Sequence, residues 1–246
     1  MSSPIAFESP QACARRLDAV IDNVFLPLQG LAEGLGQLCA ERQAAGVRPC
    51  ADELRRLRPR IDALLLGDEL YVGAGVVLAP GVLADRSLYM EWRRRVEDGR
   101  LLSLVPNLDQ RSANCFHYLD APWFRIPSAQ GVRTVAGPYV DLHCTGAYAL
   151  TFSRPVTVDG GFVGVACVDL PMSSFEPLLL GALLRLRQEA LLVSADGRVI
   201  ASSSPEWAVG DLLAGRLDPQ ACSVQALQAE PAWQLWCLPA VRRQAA

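Results

Sequence analysis

The chain has 246 residues, of which 51% are hydrophobic and 20% charged, a balance that supports a full buried core and excludes a mainly disordered protein. Its net charge is −3 and all 23 basic residues are arginine, so no basic field of the kind that binds nucleic acid is present. The N-terminus lacks a basic region followed by an apolar one, and the apolar runs at 72–84 and 178–184 are too short, or too broken by Gly and Pro, to span a bilayer. No membrane contact is expected, and the expected location is the cytoplasm.

Residues 10–45 predict one long amphipathic helix. Leu17, Val20, Ile21, Val24, Phe25, Leu28, Leu31, Leu35 and Leu38 recur at spacings of three and four, on one stripe. Ser9-Pro10 is a start signal, Gly46 a stop, and Pro27 inside the pattern predicts a kink. A second helix is predicted over 51–66, interrupted at Pro59, with Arg55, Arg56, Arg58 and Arg60 on a solvated face.

From Glu69 the period shortens. Leu70-Tyr71-Val72 and Val76-Val77-Leu78 read as short strands around Gly73 and Gly75. Residues 87–98 read as a helix capped by Ser87, ended by Gly99 and exposing Arg93, Arg94 and Arg95. A strand is predicted over 101–108, and a short helix or irregular segment over 112–124.

A strand meander follows, over 134–141, 147–158 and 162–170, with Asp159-Gly160-Gly161 as a hairpin turn. An apolar helix over 173–186, a hairpin over 191–201 with an Asp-Gly turn, a loop with a short helix over 207–217 and a last strand over 233–238 complete the chain. This order implies an α+β fold.

The runs Gly137-Pro138-Tyr139-Val140-Asp141, Thr151 to Val156 and Gly164-Val165-Ala166-Cys167-Val168-Asp169 resemble the ligand-binding half of Cache sensor domains. The resemblance implies a long N-terminal helix packed on a PAS-like antiparallel sheet that cups a small ligand. The stretch 189–203 looks like the start of a shortened second module of a double Cache domain. The implied organisation is an N-terminal helical segment (1–66), a PAS-like Cache core (67–186) and a small C-terminal αβ module (187–246).

By the same resemblance, Trp123 lines the pocket while Tyr139 and Asp169, with Asp141 beside them, meet a ligand ammonium group. Tyr118, Phe124 and Arg125 complete the candidate set. The physical logic is that a buried carboxylate needs a partner cation, and aromatic faces add cation–π attraction. Asp169 equally suits the cap of the helix that follows it. The amino-acid-binding version carries an arginine two positions before the tryptophan, where this chain has Ala121. An amine or amino-acid-like metabolite is therefore the expected ligand, sensed without a cofactor or metal. The implied partners are a second copy through the N-terminal helix and a separate regulator that receives the signal.

Two rival readings remain. A carboxylate-binding Cache sensor would use Arg125, Arg133 or Arg154. An enzyme would use a Cys–His pair, either His143 with Cys144 or Cys115 with His117; adjacent strand residues face opposite sides, which disfavours the first pair. The eight cysteines, which include Cys13, Cys39, Cys167, Cys222 and Cys237, form no Cys-x-x-Cys motif, and the expectation is reduced core thiols. No metal-ligand spacing occurs, and the chain is not expected to be an enzyme.

Overall fold

Helix α1 (Pro10–Ala44) forms where the apolar stripe predicts it. The Ala12 N–H donates to Ser9 Oγ at 3.2 Å, which satisfies one of the orphan donors of the first turn. Beyond its C-terminus, Gly46 adopts a left-handed φ of 71° and the Val47 N–H donates to the Arg42 carbonyl at 3.0 Å. The helix continues through Pro27 rather than ending there. Its neighbours Val24, Phe25 and Leu28 are all buried, and that packing outweighs the one lost backbone hydrogen bond.

The computed structural model describes residues 7–142 and 146–239. They divide into two compact units, one of Val24–Met172 and one of the residues up to Asn23 with those from Ser173 onward. In the larger unit, α2 (Ala51–Leu54) and α3 (Arg58–Gly67) are separated by a 3₁₀ turn at Arg55–Leu57. The break falls just before Pro59, which occupies the first turn of α3, where its missing N–H costs nothing.

The larger unit is built on a six-stranded antiparallel sheet of β1 (Gly73–Leu78), β2 (Met90–Arg95), β3 (Leu101–Leu104), β4 (Thr134–Val140), β5 (Tyr148–Val158) and β6 (Gly161–Pro171), in the order β3-β2-β1-β6-β5-β4. The helix expected over 87–98 is not formed; its centre is β2. There Met90, Glu91 and Trp92 are buried, and pairing to β1 on one side and β3 on the other satisfies the backbone. The three arginines that suggested a wet helical face instead lie at the half-buried end of a strand. Glu91 and Trp92 face opposite sides, as strand neighbours must. The Glu91 carboxylate meets Arg58 at 2.7 Å and the Tyr89 hydroxyl at 2.8 Å.

The β5–β6 hairpin turns at Asp159 and Gly160, both at positive φ (48° and 79°), the backbone that a two-residue hairpin with native twist requires. Helix α4 (Pro122–Gln130) opens on Pro122, ends at left-handed Gly131 and packs on β4, β5 and β6. Sequence patterning alone gives no more than a short helix or irregular segment ending at Phe124. Phe25 on α1 meets Phe152 on β5 edge-to-face at 5.1 Å, so the long helix joins the core of the sheet.

The smaller unit contains α5 (Met172–Leu183) and a four-stranded antiparallel sheet, β8-β7-β10-β9, of β7 (Ala190–Val193), β8 (Val199–Ser202), β9 (Ser223–Ala226) and β10 (Gln234–Cys237). Segment 207–217 contains no helix; the helical turn lies later, at Pro219–Ala221. Strand β9 escapes sequence patterning because it is short, mostly exposed and held by its pairing to β10. Within the same unit, the Asp18 carboxylate accepts from the N–H groups of Gln228 and Ala229, both at 2.8 Å.

Candidate ligand-binding site

The register of the large sheet places Asp169 between Gly73 on β1 and Thr151 on β5. Residues opposite one another in paired strands project to the same face, so the Thr151 hydroxyl reaches the carboxylate. Thr151 Oγ1 donates to Asp169 Oδ1 at 2.6 Å, which commits the only proton of that hydroxyl. The Tyr139 hydroxyl, 2.5 Å from Thr151 Oγ1, must therefore be the donor in the next link. A chain Tyr139–Thr151–Asp169 results. Tyr139 reaches this point because the β4–β5 register shifts between Ala136 and Tyr139, a bulge that re-aims the side chain. Burial, and then the nearby Asp169 charge, pushes the Tyr139 phenol far above its ordinary range, so it stays a donor.

These groups open onto a cavity of about 280 Å³. Its lining includes Tyr139, Asp141, Thr151 and Asp169 together with Met90, Trp92, Phe116 and Trp123; the register sets Met90 and Trp92 on the same sheet face as Thr151 and Asp169. Asp141 is buried, and its backbone N–H donates to the Ala147 carbonyl at 2.9 Å. Ala121 and Pro122, at the start of α4, lie in the lining beside Trp123. Among the described lining residues there are two carboxylates and no arginine.

Of the residues named through the resemblance, Trp123, Tyr139, Asp141 and Asp169 line one cavity. The structure does not bring Tyr118, Phe124 or Arg125 into the lining. Tyr118 is fully buried behind the wall, with its hydroxyl donating to the Leu78 carbonyl at 2.7 Å and its ring stacked on Trp123. Phe124 packs edge-on against Tyr118 and Phe162, at 5.1 and 5.6 Å. Its ring also meets that of Trp123 edge-to-face at 6.2 Å, but consecutive helix residues point in different directions, so of the two only Trp123 lines the cavity. Arg125 is exposed. Arg133 lies over the Phe25 ring at 4.5 Å, and neither it nor Arg154 is in the lining.

Asp169 does not cap α5. It stands inside β6, two residues before the strand ends at Pro171, and its side chain bonds across the sheet. Of the Cys–His pairs, His143 and Cys144 lie outside the described residues, while Cys115 is buried and His117 exposed. Among the described residues, no group of three or more His, Cys, Asp or Glu is placed to hold a metal ion, and no helix is long and apolar enough to cross a membrane.

Sequence reading missed Trp92 and Thr151. Thr151 sits in a strand that the sequence does predict, and its burial opposite Asp169 needs only the register. Trp92 is hidden by the helical reading of 87–98. Period-two alternation over Met90, Trp92 and Arg94 against Glu91, Arg93 and Arg95 is the signal that could have found it. Trp92 is 4% exposed, and its indole Nε1 has no hydrogen-bond partner, an arrangement that costs about 1–3 kcal/mol while it persists.

No protein-family model matches the sequence, and no curated protein does so significantly. Solved structures match in fold. The extracellular domain of a protein named as a histidine kinase, soHK1S-Z6, aligns with a TM-score of 0.60 at 17% identity, over 92% of this chain and 88% of that one. The ligand-binding domain of the Pseudomonas aeruginosa PAO1 amino acid chemoreceptor PctC, in complex with GABA, aligns with a TM-score of 0.57 at 17% identity, over 92% and 94%. That of PctB from the same organism, in complex with L-arginine, gives 0.59 at 16% identity, over 92% and 83%. The chain has the fold of the Cache-type domains of sensor kinases and chemoreceptors: a long N-terminal helix with antiparallel sheets, α+β in class.

Proposed function

We propose that the protein is a sensor domain whose cavity binds a small organic cation, an amine or amino-acid-like metabolite. The observation that carries this reading is the pairing of two buried carboxylates, Asp141 and Asp169, with the aromatic residues Trp92, Phe116, Trp123 and Tyr139 in one cavity, with no arginine among its described lining residues. Carboxylates withdrawn from water are stabilised by a cation, and indole and phenol faces attract one as well. GABA and L-arginine, the ligands of the solved domains of similar fold, both carry an ammonium group. Ala121 presents a methyl group to the cavity where the amino-acid-binding pattern has an arginine, which favours an amine over an α-amino acid.

A thermal-shift and calorimetric panel of alkylamines, amino acids and carboxylates tests the proposal. Stabilisation by amines is the expected result; stabilisation by carboxylates alone would replace this reading with the arginine-dependent one.

The same reading gives the domain a protein partner for its output and a dimer through α1. Light scattering with and without the amine tests the dimer, and ligand-dependent cross-linking in cells tests the partner. The cytoplasm remains the proposed location, supported by the free thiols of seven described cysteines. Since several solved domains of similar fold are extracellular, cell fractionation of the full chain is the deciding measurement.

A further inference from the structure

We infer that Trp92 is a specificity-determining ligand contact: its indole N–H donates to an uncharged oxygen that the ligand carries beside its cationic nitrogen, which makes the ligand an amino alcohol. The inference deepens the cation reading and rests on it. Among the described residues, only two buried side-chain nitrogen or oxygen atoms lack a hydrogen-bond partner, and Trp92 Nε1 is one of them. Trp92 is more than nine-tenths buried and forms part of the cavity wall. The donor is thus withdrawn from bulk water and belongs to a residue of the cavity wall.

Gly73 defines what the ligand must offer. A Cβ added at Gly73 would lie 3.0 Å from Trp92 Nε1 and 3.1 Å from Asp169 Oδ2. Glycine therefore lets the Trp92 indole N–H and the Asp169 carboxylate both close in on its Cα, so a donor and a carboxylate stand near each other at this edge of the cavity. An ammonium group satisfies the carboxylate but has no lone pair for the indole. A ligand carboxylate would accept from the indole, but it would stand beside the Asp169 charge, with no arginine in the described lining to offset the repulsion. A hydroxyl meets both demands, since it accepts from the N–H and can donate to a carboxylate. The ammonium group then lies among Asp141, Asp169 and the aromatic faces.

The test compares amino alcohols with alkylamines of the same shape, ethanolamine against n-propylamine, together with hydroxy acids such as glycolate. Titrations of the full chain are followed by calorimetry and by the indole N–H resonances of its five tryptophans. Ethanolamine should bind about three- to tenfold more tightly than n-propylamine, the worth of one net hydrogen bond. It should also move the Trp92 indole proton downfield, which n-propylamine should not do. In Trp92→Phe the preference should vanish, because phenylalanine keeps an aromatic face but has no N–H to donate, whatever the change in overall amine affinity. Should that variant fail to fold, the wild-type comparison decides alone.

Equal affinities with an unmoved Trp92 resonance would overturn the inference and leave the cation reading standing. Binding of glycolate with both amines inert would overturn the cation reading and the amino-alcohol class together, as would binding of none of the three.

Discussion

Thr151 and Asp169, eighteen residues apart on adjacent strands, are joined by a 2.6 Å hydrogen bond that fixes the carboxylate at the floor of the cavity. The hydroxyl of Thr151 also accepts from Tyr139, so one side chain aligns two of the groups proposed to meet the ligand. Thr151→Val keeps the shape and removes both bonds. It should lower stability by about 1–3 kcal/mol, because the buried Tyr139 hydroxyl loses its acceptor. Urea unfolding measures that loss. Calorimetry should show weaker amine binding in the same variant.

Asp169→Asn separates charge from architecture. Asparagine can still accept from Thr151 through its amide oxygen, so the fold should persist with a stability change under about 1.5 kcal/mol. Amine affinity should fall roughly ten- to a hundredfold, the worth of a hydrogen bond to a charged group. Unchanged affinity would remove Asp169 from the site.

The Arg58–Glu91 pair lies on the opposite side of β2 from Trp92 and makes a separable contribution. Glu91 is 2% exposed, whereas the Arg58 side chain is 35% exposed. Arg58→Ala leaves a buried carboxylate with only the Tyr89 hydroxyl as an observed donor. It should cost about 2 kcal/mol, below the range for a fully buried pair because Arg58 is partly solvated. Adding Glu91→Gln should recover most of the loss, since the buried charge is gone. Chemical denaturation of the two variants provides the comparison.

Alkaline pH should expose the buried thiols in a defined order. Burial pushes the Cys13 thiol up to about 12 and that of Cys39 up to about 11, and it raises Cys167 as well. A raised folded-state value means that the native state holds the thiol proton more tightly than the unfolded chain does. The associated stability is complete below the unfolded thiol value of about 8.5 and is lost as pH rises through 11 and beyond. Alkylation of the native protein at about pH 8, read by mass spectrometry, should therefore leave Cys13, Cys39 and Cys167 unmodified while the partly exposed Cys50 and Cys222 react first. Early modification of Cys167 would contradict its burial.

Much of the molecule is legible in local chemistry alone. The stripe from Leu17 to Leu38 specifies α1 because its spacing matches the helical repeat, and Asp159-Gly160 specifies the β5–β6 turn because few residues accept its backbone. Trp123, Tyr139, Asp141 and Asp169 can be named because they lie in short runs with a recognisable order. What local pattern cannot decide is pairing between distant segments. Three consecutive arginines make residues 87–98 look like a wet helix; only hydrogen bonding to β1 and β3 makes Met90–Arg95 a strand and turns Trp92 into the cavity. Neighbouring residues likewise diverge once packed, with Trp123 lining the site, Phe124 behind it and Arg125 in solvent. Periodicity, a local property, specifies the repeating elements, and the resemblance to Cache sensor domains points to the acidic and aromatic residues of the pocket. Tertiary structure alone decided which faces converge, because register across β1, β5 and β6 sets Gly73, Thr151 and Asp169 side by side.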